Sequence, residues 1–141
     1  MINKKVRNAT PLEYNGLKFK SKLEVFCFKQ LVENNIKASY EDHTFSLMEK
    51  YIFKGYEYPE RRTKIVQPIT YTPDFVIDRD NMTIIIECKG FRNDIFPVKW
   101  KLFKSVLNNI PNKTFYLFLP KNQKQVLETI EQIKTILNNE S

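Results

Sequence analysis

The run Thr83-Ile84-Ile85-Ile86 is the feature that most constrains this chain. Four consecutive β-branched residues favour extended backbone over helix. The spacing predicts a strand from Met82 to Lys89, stopped by Gly90. Asp78-Arg79-Asp80-Asn81 just before it is turn chemistry. Ile69 to Ile77 reads as extended, since Pro68 and Pro73 argue against helix. The two runs therefore form a hairpin, and the rest of the chain must be arranged around it.

Helical periodicity appears on both sides of this hairpin. Ser21-Lys22-Leu23-Glu24 reads as a capping box opening a helix, with Leu23, Cys27, Leu31, Phe28 and Val32 as its stripe and Asn34-Asn35 as its stop. A second helix is expected from about Pro97 to Asn109, with Val98, Leu102, Phe103, Val106 and Leu107 apolar. A third is expected from Gln123 to Leu137, carrying Val126, Leu127, Ile130, Ile133 and Leu137. Phe115 to Leu119 is a buried strand, and short strands lie around Tyr40 and Phe45. Residues 49–64 are aromatic, charged and aperiodic, as in a loop or hairpin insertion. The resulting order, α-β-β-β-α-β-α, is a mixed sheet flanked by helices, an α/β domain. Residues 1–13 read as a flexible basic arm and 14–141 as one domain.

Composition excludes several classes. The 141 residues are 42% apolar and 28% charged, which is globular rather than disordered. No apolar run is long enough to span a membrane, and the N-terminus lacks a secretory signal. Two cysteines, Cys27 and Cys88, and one histidine fall short of a disulfide scaffold or a zinc site. A reduced, cytoplasmic setting is expected. The net charge of +7 suggests a polyanionic partner. It is distributed in alternating blocks: +5 over 1–22, −3 over 23–49, +3 over 50–64, −3 over 65–88 and +4 over 89–104. Carboxylates set within a basic surface suit a site that binds a cation and a phosphate together.

If the hairpin turns at Asp80-Asn81, Asp74 lies opposite Glu87, and Lys89 points to the same face. A Glu–Lys pair alone is an ordinary cross-strand salt bridge. The second acid changes the weighing, because opposed carboxylates repel unless a cation lies between them. Mg²⁺ or Mn²⁺, one or two ions, fits two carboxylates and the Cys88 carbonyl.

Tyr71-Thr72-Pro73-Asp74-Phe75 followed by Ile86-Glu87-Cys88-Lys89-Gly90 resembles the PD-(D/E)XK nuclease signature. With Lys18-Phe19, Ser21-Lys22-Leu23-Glu24 and the later Lys-Trp-Lys-Leu-Phe segment, residues 14–119 resemble small phage-encoded endonucleases. More distantly they are similar to phage endonuclease I, the Holliday junction resolvase. The resemblance implies a restriction-endonuclease-like αβββαβ core with an extra C-terminal helix. It implies Asp74 and Glu87 as metal ligands, Lys89 as the group that orients water or meets the phosphate, and Glu24 completing the cluster, directly or through water. It also implies a DNA endonuclease that leaves 5′-phosphates, acts on branched or other non-duplex DNA with little sequence specificity, and is compatible with a homodimer. No membrane and no small-molecule cofactor are expected. The alternative is an inactive nucleic-acid-binding module of the same fold.

Other positions have balanced readings. Glu24 is at the third helical position, which favours Glu for capping alone. Lys18, Lys20, Lys22, Arg61, Arg62, Lys99, Lys101 and Lys104 are candidates for the DNA backbone, or solvated surface. His43 reads as structural or exposed rather than as a base, Trp100 as core, and Cys27 and Cys88 as small buried apolar residues.

Overall fold

A computed structural model describes residues 12–59, 64–88 and 95–140 of the chain. Ten strands and three helices are present among these residues. A hairpin, β1 (Leu12–Tyr14) and β2 (Leu17–Phe19), turns at Asn15-Gly16, both with positive φ. That conformation is why an Asn-Gly pair occupies it. The strand begins at Leu12, inside the span expected as an arm, so that expectation is corrected for residues 12 and 13; residues 1–11 lie outside the described residues. Helix α1 (Lys22–Glu33) follows, then β3 (Ser39–Tyr40), β4 (Phe45–Met48), β5 (Tyr51–Ile52), β6 (Ile65–Val66), β7 (Ile69–Tyr71), β8 (Phe75–Asp78) and β9 (Met82–Ile86). Helix α2 (Ile95–Asn108), β10 (Thr114–Phe118) and α3 (Gln123–Glu140) complete the chain.

The central sheet has the order β10-β9-β8-β3. β9 pairs antiparallel with β8 and parallel with β10, which it reaches through the α2 crossover. The β8–β9 register places Phe75 opposite Ile86 and Asp78 opposite Thr83, as the hairpin reading expects. The isoleucine run is buried throughout, and alternation divides it between two cores. Ile84 and Ile86 pack with Leu23, Cys27 and Leu31 of α1 and Val126, Ile130 and Ile133 of α3. Ile85 and Val76 pack with Phe96, Trp100, Phe103 and Leu107 of α2. Each fully buried aliphatic side chain contributes about 1.5–3 kcal/mol, so both faces help to hold the sheet in place.

Three expectations are corrected. The extended stretch from Ile69 to Ile77 is two strands in different sheets: β7 pairs with β4, and β8 with β3 and β9. Pro73, which has no N–H to donate, lies in the break. The α2 stripe is Phe96, Trp100, Phe103 and Leu107, and Val98 is exposed, because the helix turns its Phe96 face to Val76 and Ile85 of the sheet. Leu127 and Val32 likewise face outward. The hairpin alternative for 49–64 is the one observed: β5 pairs antiparallel with β6, which carries the pairing on to Val66, and the Tyr58–Pro59 bond is cis. No described helix is long and apolar enough to cross a membrane.

Candidate active site: an acid cluster at the rim of the sheet

Three separate segments bring Glu24, Asp74 and Glu87 to one end of the sheet. Glu24 arrives through helix capping. Ser21 is the N-cap, and its Oγ accepts from the Glu24 N–H at 3.2 Å. The Glu24 carboxylate then reaches past the cap. Its Oε1 accepts from the Lys20 N–H at 3.1 Å and from the Tyr40 hydroxyl at 2.6 Å. Asp74 sits in the bend between β7 and β8, and Glu87 directly follows β9. The Cys88 N–H donates to Asp74 Oδ2 at 2.9 Å, and the Asp74 N–H donates to Glu87 Oε1 at 3.3 Å. The Tyr71 hydroxyl also donates to Glu87 Oε1.

Burial sets the electrostatics. Asp74 is 1% exposed and Glu24 4%. Burial, with Glu87 and Glu24 as like-charged neighbours, pushes the Asp74 carboxyl up to about 8, against the opposing pull of the Cys88 N–H and Lys20. Burial also raises Glu87, despite the hydrogen bonds from Tyr71 and Asp74. Both phenols are raised, by burial first and by their carboxylate partners next, so each remains a donor at neutral pH. Among the described residues no fully buried side-chain polar atom lacks a partner.

Among the described residues, the lysine that joins the cluster is Lys20. Lys20 Nζ lies 2.7 Å from Glu41 and 3.7 Å from Asp74 Oδ1. Burial lowers the Lys20 pKa, but the Glu41 hydrogen bond and the charges of Asp74, Glu41 and Glu24 outweigh it, and the net shift is upward. Glu41 is held by its own N–H, which donates to the Asp74 carbonyl at 2.8 Å, and by a left-handed backbone (φ 49°) that non-glycine residues rarely adopt. Tyr40, Tyr71 and Glu41 went unread as site residues. Tyr71 immediately precedes the Thr-Pro-Asp segment, which was its only sequence signal; Tyr40 and Glu41 carry none.

The remaining candidates are placed as follows. Lys89, Arg61 and Arg62 lie outside the described residues. Lys20, a candidate for the DNA backbone, lies beside the acids. Lys18 and Lys22 are exposed, Lys18 standing across from Glu13 in the first hairpin. On α2, Lys99 is half-buried and Lys101 exposed. Lys104 lines a groove with Lys113, which pairs with Asp78 at the far end of β8 from Asp74. His43 bonds Ser39 at 3.2 Å and helps lower the pKa of Asp78, at the other end of β8 from Asp74. Cys27 and Cys88 are both buried free thiols. The Cys27 contact, then burial, raises the Cys88 thiol pKa.

Among the described residues no three or more His, Cys, Asp or Glu groups are gathered as a metal-holding set. The acids are linked by hydrogen bonds to tyrosines and main-chain amides rather than around one point. Their donor chemistry is that of hard oxygen ligands. The only cation bonded or paired to Asp74 Oδ1 among the described residues is Lys20, at 3.7 Å.

No curated protein and no solved structure matches this chain significantly. A family model described as "Protein of unknown function (DUF1064)" matches residues 4–122, a span that includes all three acids, Lys20 and the β5–β6 insertion and stops just before α3. With most of its length inside that match, the chain belongs to the DUF1064 family.

Proposed function

We propose that this chain is a divalent-metal-dependent DNA endonuclease that hydrolyses phosphodiester bonds to leave 5′-phosphates, acting on branched or other non-duplex DNA with little sequence specificity. The observation that carries the reading is Asp74, buried beside two further carboxylates with only a main-chain N–H and a lysine at 3.7 Å as compensation. Burying a carboxyl among others makes its ionisation costly, so a group that calls on the ionised form is expected. The resemblance of the Thr-Pro-Asp and Glu-Cys-Lys segments to the PD-(D/E)XK signature supports the same reading.

Asp74, Glu87, Glu24 and the Cys88 carbonyl are the groups that would hold one or two Mg²⁺ or Mn²⁺ ions; all are hard oxygen donors. When bound, such an ion acidifies water and polarises a phosphoryl oxygen. The chain's own residues do the rest. Tyr71 and Tyr40 hold the Glu87 and Glu24 carboxylates in place. The Cys88 N–H fixes one oxygen of Asp74 and leaves the other turned toward Lys20. Lys20, whose side chain is 62% exposed, has the freedom to swing from the acids to an incoming phosphate oxygen. Lys89 has the water-orienting role that the motif resemblance implies.

One panel tests the proposal: single-stranded, duplex, flap and four-way-junction DNA, each with Mg²⁺, Mn²⁺ or EDTA. Cleavage is expected with either metal, fastest on a non-duplex substrate, and absent in EDTA. Persistent cleavage after thorough chelation would exclude the metal mechanism. Binding without cleavage in both metals would leave the inactive nucleic-acid-binding module.

A further inference from the structure

The β5–β6 ribbon continues β4–β7 away from the acid cluster. Phe45 pairs with Tyr71 at the cluster end, then Met48 with Ile69, Tyr51 with Val66 and Ile52 with Ile65. Fully extended, the chain from Tyr71 to Ile65 would span at most about 20 Å. Beyond this point the side chains do not behave as core. Tyr56 and Tyr58 are 82% and 81% exposed, and Tyr51 and Phe53 are exposed too. None of the four belongs to either hydrophobic core. A Cβ on Gly55 would lie 2.5 Å from the Phe53 ring, so the glycine makes the space in which that ring lies over the backbone. Exposed Lys50, Lys54 and Lys64 are interleaved with these rings.

We propose that this arm binds an unpaired stretch of nucleic acid, with bases stacked on its tyrosines and phosphates met by its lysines. Exposed aromatic faces beside cations are what a single strand needs, because every base offers a π-face and every linkage a negative charge. A second copy of the arm is the other occupant, and the test below separates the two. The inference deepens the proposed function, on which it rests: it places the unpaired part of the substrate on the ribbon that leads away from the acids.

The test uses the full chain in EDTA and a labelled 20-nucleotide oligo(dT), read by fluorescence anisotropy, with oligo(U) in parallel to separate DNA from RNA. Tyr56→Ala/Tyr58→Ala is expected to weaken single-strand binding about 10-fold or more, with duplex binding and melting temperature unchanged. Its salt dependence should match wild type, whereas Lys50→Gln/Lys54→Gln should flatten the slope of log K against log salt by about 1.4. Unchanged single-strand affinity in the tyrosine variant would overturn the proposal. So would a dimer in the wild type that this variant converts to monomer by light scattering. Failure of the nuclease reading is seen separately: the wild type would bind the strand through Tyr56 and Tyr58 yet cut nothing in Mg²⁺ or Mn²⁺.

Discussion

Asp74 and Asp78 lie four residues apart on one hairpin, and the fold treats them in opposite ways. Asp78 accepts from the Thr83 hydroxyl at 2.6 Å and from Lys113 at 2.8 Å, and those two partners hold its carboxyl below the usual range. Asp74 is buried among carboxylates and pushed up to about 8. The same two strands can thus satisfy an aspartate at one end, so nothing in the hairpin requires an under-compensated acid at the other. The helix caps teach the same lesson. At α3, Asn122 caps and Gln125 reaches back to the Lys121 N–H at 2.8 Å. At α1, Ser21 caps and Glu24 reaches back to the Lys20 N–H. A neutral amide does that structural work at α3, so the charge of Glu24 exceeds what its cap requires.

Breaking the charge at each end should separate use from structure, and the largest effect is expected first. Asp74→Asn and Glu87→Gln should each lower metal-dependent cleavage on the order of 10³-fold, while Asp78→Asn stays within about two-fold of wild type. Glu24→Gln preserves the cap contact and should still lose about 10- to 100-fold. Steady-state cleavage rates with Mg²⁺ check all four. Wild-type turnover in any of the three cluster variants would remove that residue from the assignment.

The extent to which this contrast was legible in the sequence differs by residue. The β8–β9 register was readable, because Asp78 to Asn81 marks the turn and side-chain period two then sets every partner. Glu24 was readable as a capping residue, but not its reach to Tyr40, which depends on how α1 packs beside β3. Lys20 was readable as a basic residue; that it turns inward depends on Glu41, placed by a left-handed backbone no local pattern announces. The α2 stripe was misplaced because Val98 and Phe96 are equally apolar in sequence, and only the sheet face selects between them. The break at Pro73 was marked by the proline itself, but its consequence, two strands joining different sheets, is decided by tertiary pairing.

A smaller effect sharpens the comparison at Tyr71. Its hydroxyl holds Glu87, while its ring packs edge-on against Phe103 at 4.9 Å and Trp100 at 6.0 Å. Tyr71→Phe keeps the packing and removes the hydrogen bond. Affinity for Mn²⁺, measured by calorimetry, should fall about 10- to 100-fold, with excess Mn²⁺ restoring cleavage. Unchanged affinity would reduce Tyr71 to a packing residue.

The two aspartates should also tilt stability in opposite directions with pH. The folded-state pKa of Asp74 is raised from 3.8 to about 8, so the native state holds a proton that the unfolded chain gives up. Stability from this group is fully present below pH 4 and is lost as pH rises through 8. In EDTA the melting temperature should fall between pH 5 and pH 8, as stability is lost at up to about 1.4 kcal/mol per pH unit. Asp74→Asn, which can still accept from the Cys88 N–H, should flatten that decline. A wild-type profile that is flat over this range would show that the acids do not repel as described.

The smallest effect belongs to Asp78, and its sign is reversed. Its lowered pKa means that its stabilisation is present above the unfolded value of 3.8 and is lost as pH falls through the folded one. The Asp78 and Lys113 side chains are 49% and 22% exposed, so solvent screens the pair, and Asp78→Asn should cost no more than about 1 kcal/mol at pH 7. The gap between variant and wild type should close only as pH falls through the lowered folded pKa of Asp78, beyond which both lack the charge. Raising salt should narrow it at pH 7 as well, while Asp74→Asn should respond less, since buried groups are screened less than exposed ones. If Asp78→Asn instead matched Asp74→Asn in both pH slope and salt response, the two ends of the hairpin would be equivalent, and the case for reading one of them as a site would lose its internal control.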